Sequence, residues 1–139
     1  MIEEDAPLVS VVMCLHNAAS YVQEAVGSLL RQTHKHLQII VVDNGSTDGG
    51  PGLVRAFDDP RVELHYAPEN RLYASAWNAG FEKARGPWVA FVHADDRHHP
   101  QFVEKMLAAV QPRGLDVACC WLHAVDEHGV RDEVRGAAY

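Results

Sequence analysis

Apolar positions in this chain alternate between two kinds of run. Residues 8–15 and 37–42 are short, nearly unbroken blocks rich in β-branched side chains, the pattern of strands buried on both faces. Between them, Val22, Ala25, Val26, Leu29 and Leu30 recur at i, i+3, i+4, i+7 and i+8, one face of a helix, with Ser20 and Gln23 spaced as a capping box. Residues 48–57 carry three glycines and Pro51, so a helix there is expected to be short and to start late. Residues 62–66 alternate as a third strand. Tyr73, Ala76, Trp77, Gly80, Phe81 and Ala84 keep helical spacing up to a stop at Gly86-Pro87, and residues 88–92 read as a fourth strand. Pro100 fits the first turn of a further helix whose inward positions are Phe102, Val103, Met106, Leu107 and Val110. Residues 115–125 read as mostly strand, and Asp126 to Gly129 as a turn into a last strand over 130–134.

Strands alternating with helices predict a three-layer α/β/α fold with a mainly parallel central sheet. At 139 residues the chain is read as one domain able to bury a core without staples. Such folds bind ligands beyond the carboxyl ends of their strands. That rule gathers three segments on one edge: Cys14 to Asn17, Asp43 to Ser46, and His93 to Asp96.

Composition narrows the chemistry. The net charge is −7, with Lys and Arg scattered rather than striped, which gives no footprint for nucleic acid. The acidic N-terminus has no basic segment leading into an apolar core, and no run is long enough for a membrane span, so a cytoplasmic protein is expected. Cys14, Cys119 and Cys120 form no metal or disulfide spacing and read as reduced thiols, the vicinal pair as small core residues.

The strongest chemical signal is Phe91-Val92-His93-Ala94-Asp95-Asp96, an apolar strand ending in two adjacent carboxylates. Like charges placed together repel, and the arrangement becomes favourable when a divalent cation sits between them and a ligand such as a diphosphate. A second acidic strand end, Val42-Asp43-Asn44-Gly45-Ser46-Thr47-Asp48, supports a metal and nucleotide site, although Asn-Gly and Ser-Thr-Asp also simply build turns. His93, His98 and His99 match no closed zinc spacing and read as surface histidines, His93 near the cation. Tyr73 and Trp77 read as core or pocket wall.

Taken in order, these segments resemble the nucleotide-sugar-binding half of the family 2 inverting glycosyltransferases, which have the GT-A fold. The resemblance runs over residues 8–134. It rests on Val9 to Asn17, Ser28 to Thr33, Ile39 to Asp48, Asn70 to Gly80 and Gly86 to Asp96. The chain departs from the family's usual pattern at Cys14 and His16 (Pro and Tyr), Leu72 and Trp77 (Gly and Arg), and His93 (Asp). The resemblance implies that Cys14, Leu15, His16, Asn17, Asp43, Asn44, Asn70, Trp77, Asn78 and Asp95 line the nucleotide-sugar site. Asp96, with Asp95, would hold Mn²⁺ or Mg²⁺. It implies a UDP- or dTDP-sugar donor, a glycan or lipid-linked acceptor, inverting transfer to an acceptor hydroxyl, and a role in polysaccharide biosynthesis. The acceptor-side half, with its general base, is expected to lie outside this chain. A sheet edge left uncovered favours a homo-oligomer.

Rival activities lack their signatures. No glycine-rich basic loop follows the first strand, as a nucleotidyltransferase needs, and no G-x-G-x-x-G marks a dehydrogenase. A phosphoacceptor domain would want its acidic pair after the first strand. The remaining alternative is a nucleotide-sugar-binding or assembly module without transfer chemistry.

Overall fold

The computed structural model describes residues 6–67, 72–120, 122, 124–126 and 128. Four strands, β1 (Val9–Leu15), β2 (Leu37–Asp43), β3 (Val62–Tyr66) and β4 (Trp88–His93), form one sheet in the order β3-β2-β1-β4. Every pairing is parallel, with Val11 opposite both Ile39 and Ala90. The helices are α1 (Val22–Leu30), α2 (Gly50–Arg55), α3 (Tyr73–Phe81) and α4 (Phe102–Val110). This is the α/β architecture that the hydrophobic pattern predicts.

The two central strands are buried along their whole length, as continuous apolar runs require. On one face Val12, Cys14, Ile40 and Val42 pack with Ala76 of α3, and Trp77, Ala79 and Ala84 close around them. On the other, Val11, Met13, Leu15, Ile39 and Val41 are sealed from solvent, and Gly50 of α2 lies against Leu15. Gly80 lets α3 sit close to the sheet: a Cβ there would lie 2.4 Å from Val12 Cγ1. At the amino ends of the strands, buried Ser10 donates to Gln38 Oε1 and accepts from the backbone N–H groups of Arg85 and Gly86.

Contacts divide the chain into two compact units, Met1–Lys105 and Met106–Tyr139. The sheet belongs to the first. In the second, the end of α4 runs into a 3₁₀ turn, Gln111–Arg113, closed by Gly114 in the left-handed conformation at φ 59°.

Several expectations need correction. The capping box does not form, and α1 starts after Tyr21 without a side-chain cap. Its entry is a backbone turn instead: Tyr21 and Val22 both donate to Ala18 O, and the Ala19 N–H is held by Asp48 Oδ2. The third helix ends at Phe81 rather than near Ala84, its exit tightened by Lys83 N–H on Gly80 O and Ala84 N–H on Phe81 O. Pro100 lies in the turn before α4, not inside it. Residues 115–125 form no strand among the described residues, beyond a single bridge at Val125. The strand expected over residues 130–134 lies outside the described residues. Cys119 and Cys120 are accordingly exposed, not core.

Candidate active site at the switch point of the sheet

The strand order places the site. The chain steps outward from β1 through β2 to β3, then returns past β1 to lay down β4. The connections after β1 and β4 therefore diverge to opposite sides, leaving a crevice at their carboxyl ends. A cleft of about 510 Å³ lies there. The end of β1 and the loop after it contribute Cys14, His16, Asn17, Ala18 and Tyr21; α3 contributes Tyr73 and Trp77; β4 and its turn contribute His93, Ala94 and Asp95. A second, more open cleft of about 840 Å³ shares His16 and Tyr73 and adds Asn44, Leu72, Ala74, Ser75 and Asn78. Among the described residues, neither lining contains a lysine or arginine.

Two loops are locked together to build this edge. Asn17 takes a left-handed backbone at φ 48°, a conformation asparagine tolerates better than most residues. Its Oδ1 accepts from the Thr47 N–H at 2.8 Å, and its own N–H reaches Ser46 Oγ at 3.0 Å. Asp48 bridges back, accepting from Ala19 N–H and Gly50 N–H, each at 2.9 Å. These two N–H donors hold its carboxyl below the usual range. His16 Nδ1 contacts Asn44 O at 3.0 Å; a carbonyl only accepts, so Nδ1 carries a proton and donates, which leaves Nε2 facing away from this bond. Asp43 is buried, and both of its oxygens accept from Ser46 N–H. Burial, and secondarily the Asp43 charge, push the Cys14 thiol up to about 11.

The wall formed by α3 and β4 is aromatic. Trp77 packs against His93 at 5.4 Å and Phe91 at 5.8 Å between ring centroids, and its indole N–H is buried with no partner among the described residues. Asp95 and Asp96 follow in a turn closed by Asp96 N–H on His93 O at 3.3 Å, and no described residue hydrogen-bonds to either carboxylate. Asp96 does not appear in the lining of either cleft.

Of the residues singled out from the sequence, Cys14, His16, Asn17, Trp77 and Asp95 meet in the first cleft, and Asn44 and Asn78 line the second with His16. Leu15 is in the core, where its carbonyl accepts from Asn44 N–H. Asp43 shapes the turn beneath Asn44. Asn70 lies outside the described residues. Sequence reasoning misses Tyr21 and Ala18 in the loop after β1, which carries no periodic signal, and Ser75 on α3, a polar helix position that reads as solvent-facing. Tyr73 was read as core or pocket wall, and it is wall. His98, expected at the surface, is partly buried against Phe102 with 4.9 Å between ring centroids, and burial lowers its pKa against the opposing pull of Asp96.

A metal must be judged against this donor set. Among the described residues no group of three or more His, Cys, Asp or Glu side chains is placed to hold an ion. Two adjacent carboxylates do suit Mg²⁺ or Mn²⁺ of the kind that keeps several waters and takes its other ligands from phosphates. They do not suit a closed protein cage.

The sequence profile of glycosyl transferase family 2 matches residues 10–137, nearly the whole chain. The chain belongs to this family. Among its relatives, the succinoglycan biosynthesis protein ExoO of Rhizobium meliloti is 34% identical over 126 residues, covering 91% of this chain and 36% of ExoO. The structure of S. aureus TarS 1-349 in complex with UDP-GlcNAc superimposes with a TM-score of 0.68 over 76% of this chain and 32% of that one; at 22% identity this is likeness of fold. The mannosyltransferase PcManGT from Pyrobaculum calidifontis, in complex with GDP-Man and Mn²⁺, gives a TM-score of 0.60 at 31% identity, over 68% of this chain and 29% of that one. The first curated relatives are matched over 43%, 36% and 41% of their own length, so this chain spans well under half of each. The family-2 likeness read from five segments is thus established, and with it the GT-A-type α/β fold. No described helix is long and apolar enough to cross a membrane.

Proposed function

We propose that this chain is the donor-binding half of an inverting glycosyltransferase that uses a nucleoside-diphosphate sugar and works with an acceptor-binding half. One observation carries the reading: the ends of β1 and β4 meet in a cleft at the switch point of the sheet, with the Asp95 carboxylate in its wall. The reaction is attack of an acceptor hydroxyl on the anomeric carbon. A carbon–oxygen bond forms on one face, the bond to the diphosphate oxygen breaks on the other, and the hydroxyl proton passes to a base. No residue described here is assigned as that base.

The part of this chain is to bind and orient the donor. Asn44 offers a carbonyl acceptor and an amide donor to the nucleobase, and His16 offers Nε2. Trp77, Tyr73 and Tyr21 supply ring faces and exclude water along the cleft. Asp96 and Asp95 are the residues that would hold a divalent cation, which when bound neutralises the departing diphosphate. Among the described residues neither lining offers a cationic side chain, and the net charge is −7, which favours a bridging cation for the diphosphate. For the base, a pyrimidine is favoured: an amide can pair with its edge, though without the charge assistance of a carboxylate, so selectivity should be modest.

Calorimetry with UDP, dTDP and GDP, with Mn²⁺ or EDTA, tests the reading on the parent chain and Asp96→Ala. The expected outcome is metal-dependent binding, UDP or dTDP ahead of GDP, and loss of binding in Asp96→Ala with an unchanged melting temperature. Equal affinity of mutant and parent, or binding indifferent to EDTA, refutes the metal role. GDP bound about tenfold better than both pyrimidines, a difference of about 1.4 kcal/mol, refutes the base assignment.

A further inference from the structure

The acidic pair has almost no support of its own, yet the chain that continues from it is tied firmly to the end of α1. Ser28 Oγ accepts the His98 N–H at 3.0 Å while donating to Ala25 O at 2.8 Å. Gln32 is completely buried, and its whole amide is used. Its Nε2 donates to His99 O at 2.7 Å and to Ser28 O at 3.2 Å, and its Oε1 accepts the Val103 N–H at 3.0 Å. Thr33 adds its N–H to Pro100 O at 2.8 Å and its hydroxyl to Glu104 at 2.6 Å.

A buried glutamine is costly unless every polar atom is paired. Here all of its long-range partners lie in one segment, residues 99–103. Val103 lies in the first turn of α4, where a helix N–H has no partner within the helix, so Gln32 supplies a cap from a distant element. The first anchored residue, His98, is two positions beyond Asp96. Upstream, Asp96 is fixed by β4 through the turn to His93 O. The pair is thus suspended between a strand on one side and the α1 latch on the other.

Resting on the donor-binding function proposed above, we infer that Gln32 and Ser28 are positioning residues for Asp96, holding the turn in which its carboxylate meets the metal-bound diphosphate. They touch neither cleft. Their effect passes through the 98–103 segment, as the hydrogen-bonded partners of a ligand fix its orientation elsewhere.

The test uses Gln32→Met, which keeps the bulk and length of the side chain and removes its hydrogen bonds, with Ser28→Ala as a milder second variant that removes the His98 anchor and the local bond to Ala25 O. UDP and uridine are titrated separately, each with Mn²⁺ and with EDTA, and amide exchange is followed at His98 and Val103. In Gln32→Met, UDP affinity in Mn²⁺ should fall about 10–100-fold, the usual effect of losing such a partner, while uridine binding stays within about twofold. The Val103 amide should exchange faster. Ser28→Ala should shift UDP in the same direction by roughly tenfold or less, with faster exchange at His98. Unchanged UDP affinity despite faster exchange overturns the inference. So does a parallel loss of uridine and UDP in both variants, which marks general damage to the fold. A parent chain that binds UDP equally with and without Mn²⁺ refutes the proposed function, seen without any variant, and takes this inference with it.

Discussion

Replacing Gly80 by alanine tests how closely α3 must sit on the sheet. The added methyl would lie 2.4 Å from Val12 Cγ1 and 3.1 Å from Val42 Cγ2. The first distance is about 1 Å short of ordinary carbon–carbon contact. Neither valine can yield by a rotamer change, since both are β-branched, fully buried and fixed in central strands. The helix must therefore retreat. Overpacking of this kind costs typically 1–3 kcal/mol, and the shortness of the contact argues for the upper end, about 3 kcal/mol. Alanine returns about 1 kcal/mol of helix propensity. The net expectation is a loss of about 2 kcal/mol, which moves a urea midpoint down by roughly 1 M at an m-value of about 2 kcal/mol/M. Gly52→Ala is the control: nothing lies within 4 Å of its Cβ, so the propensity gain should appear alone. Val12→Ala combined with Gly80→Ala should recover part of the loss, because it removes the atom that clashes. The reasoning fails if Gly80→Ala is as stable as the parent, or if the double variant is no better than the sum of its parts.

Acid should destabilise the chain in the window of its depressed carboxylates. Asp59 is lowered by its bonds to Arg61 and Asp48 by backbone N–H groups; at Glu63, burial pushes upward but bonds from Arg85, His65 and Gln38 outweigh it. Each binds a proton less readily folded than unfolded, so its stabilisation is complete above the unfolded pKa of about 4 and is lost as pH falls through the folded value. A melting temperature that rises between pH 5 and pH 3 contradicts this. Cysteine labelling gives a separate check. At pH 8, Cys119 and Cys120 should react quickly with a disulfide reagent, while Cys14, buried and raised to about 11, should react only on unfolding. Three fast thiols would place Cys14 wrongly.

What the sequence reveals and conceals here follows from where each signal resides. The strands of the sheet were legible because β1 and β2 are buried on both faces and leave unbroken apolar blocks. The α1 stripe was legible because a helix over a sheet buries one face, here Val22, Ala25, Val26 and Leu29. The capping box misled because the entry to α1 is held by Asp48 accepting from the Ala19 N–H, twenty-nine residues away in sequence, and no local pattern reports such a bond. Residues 115–125 misled for a related reason: an apolar run shows what a segment could do, while strand pairing rests on long-range contacts that no local pattern reports. In the site, Asp95, Asn44 and the β1 loop were recoverable from type and position. The interlock of Asn17 with Thr47 was not, since either residue alone is an ordinary turn former. The Gln32 latch was hidden most deeply, because a glutamine at the end of a helix reads as a surface residue until the loop that covers it is in place.

The strand order also dictates a sequence of events during synthesis. β1 leaves the ribosome before the other three strands and ends inside the sheet, but its two neighbours arrive at very different times. β2 begins at residue 37 and pairs across a short crossover, whereas β4 begins at residue 88, after β3 and α3 have been made. A chain synthesised at about 5–20 residues per second therefore carries one side of β1 unpaired for several seconds. During that interval the apolar edge of β1 is open to mispairing, and the crevice between β1 and β4 does not yet exist. Closing that edge and completing the cleft are one step, so the strand that finishes the sheet is also the one that creates the site.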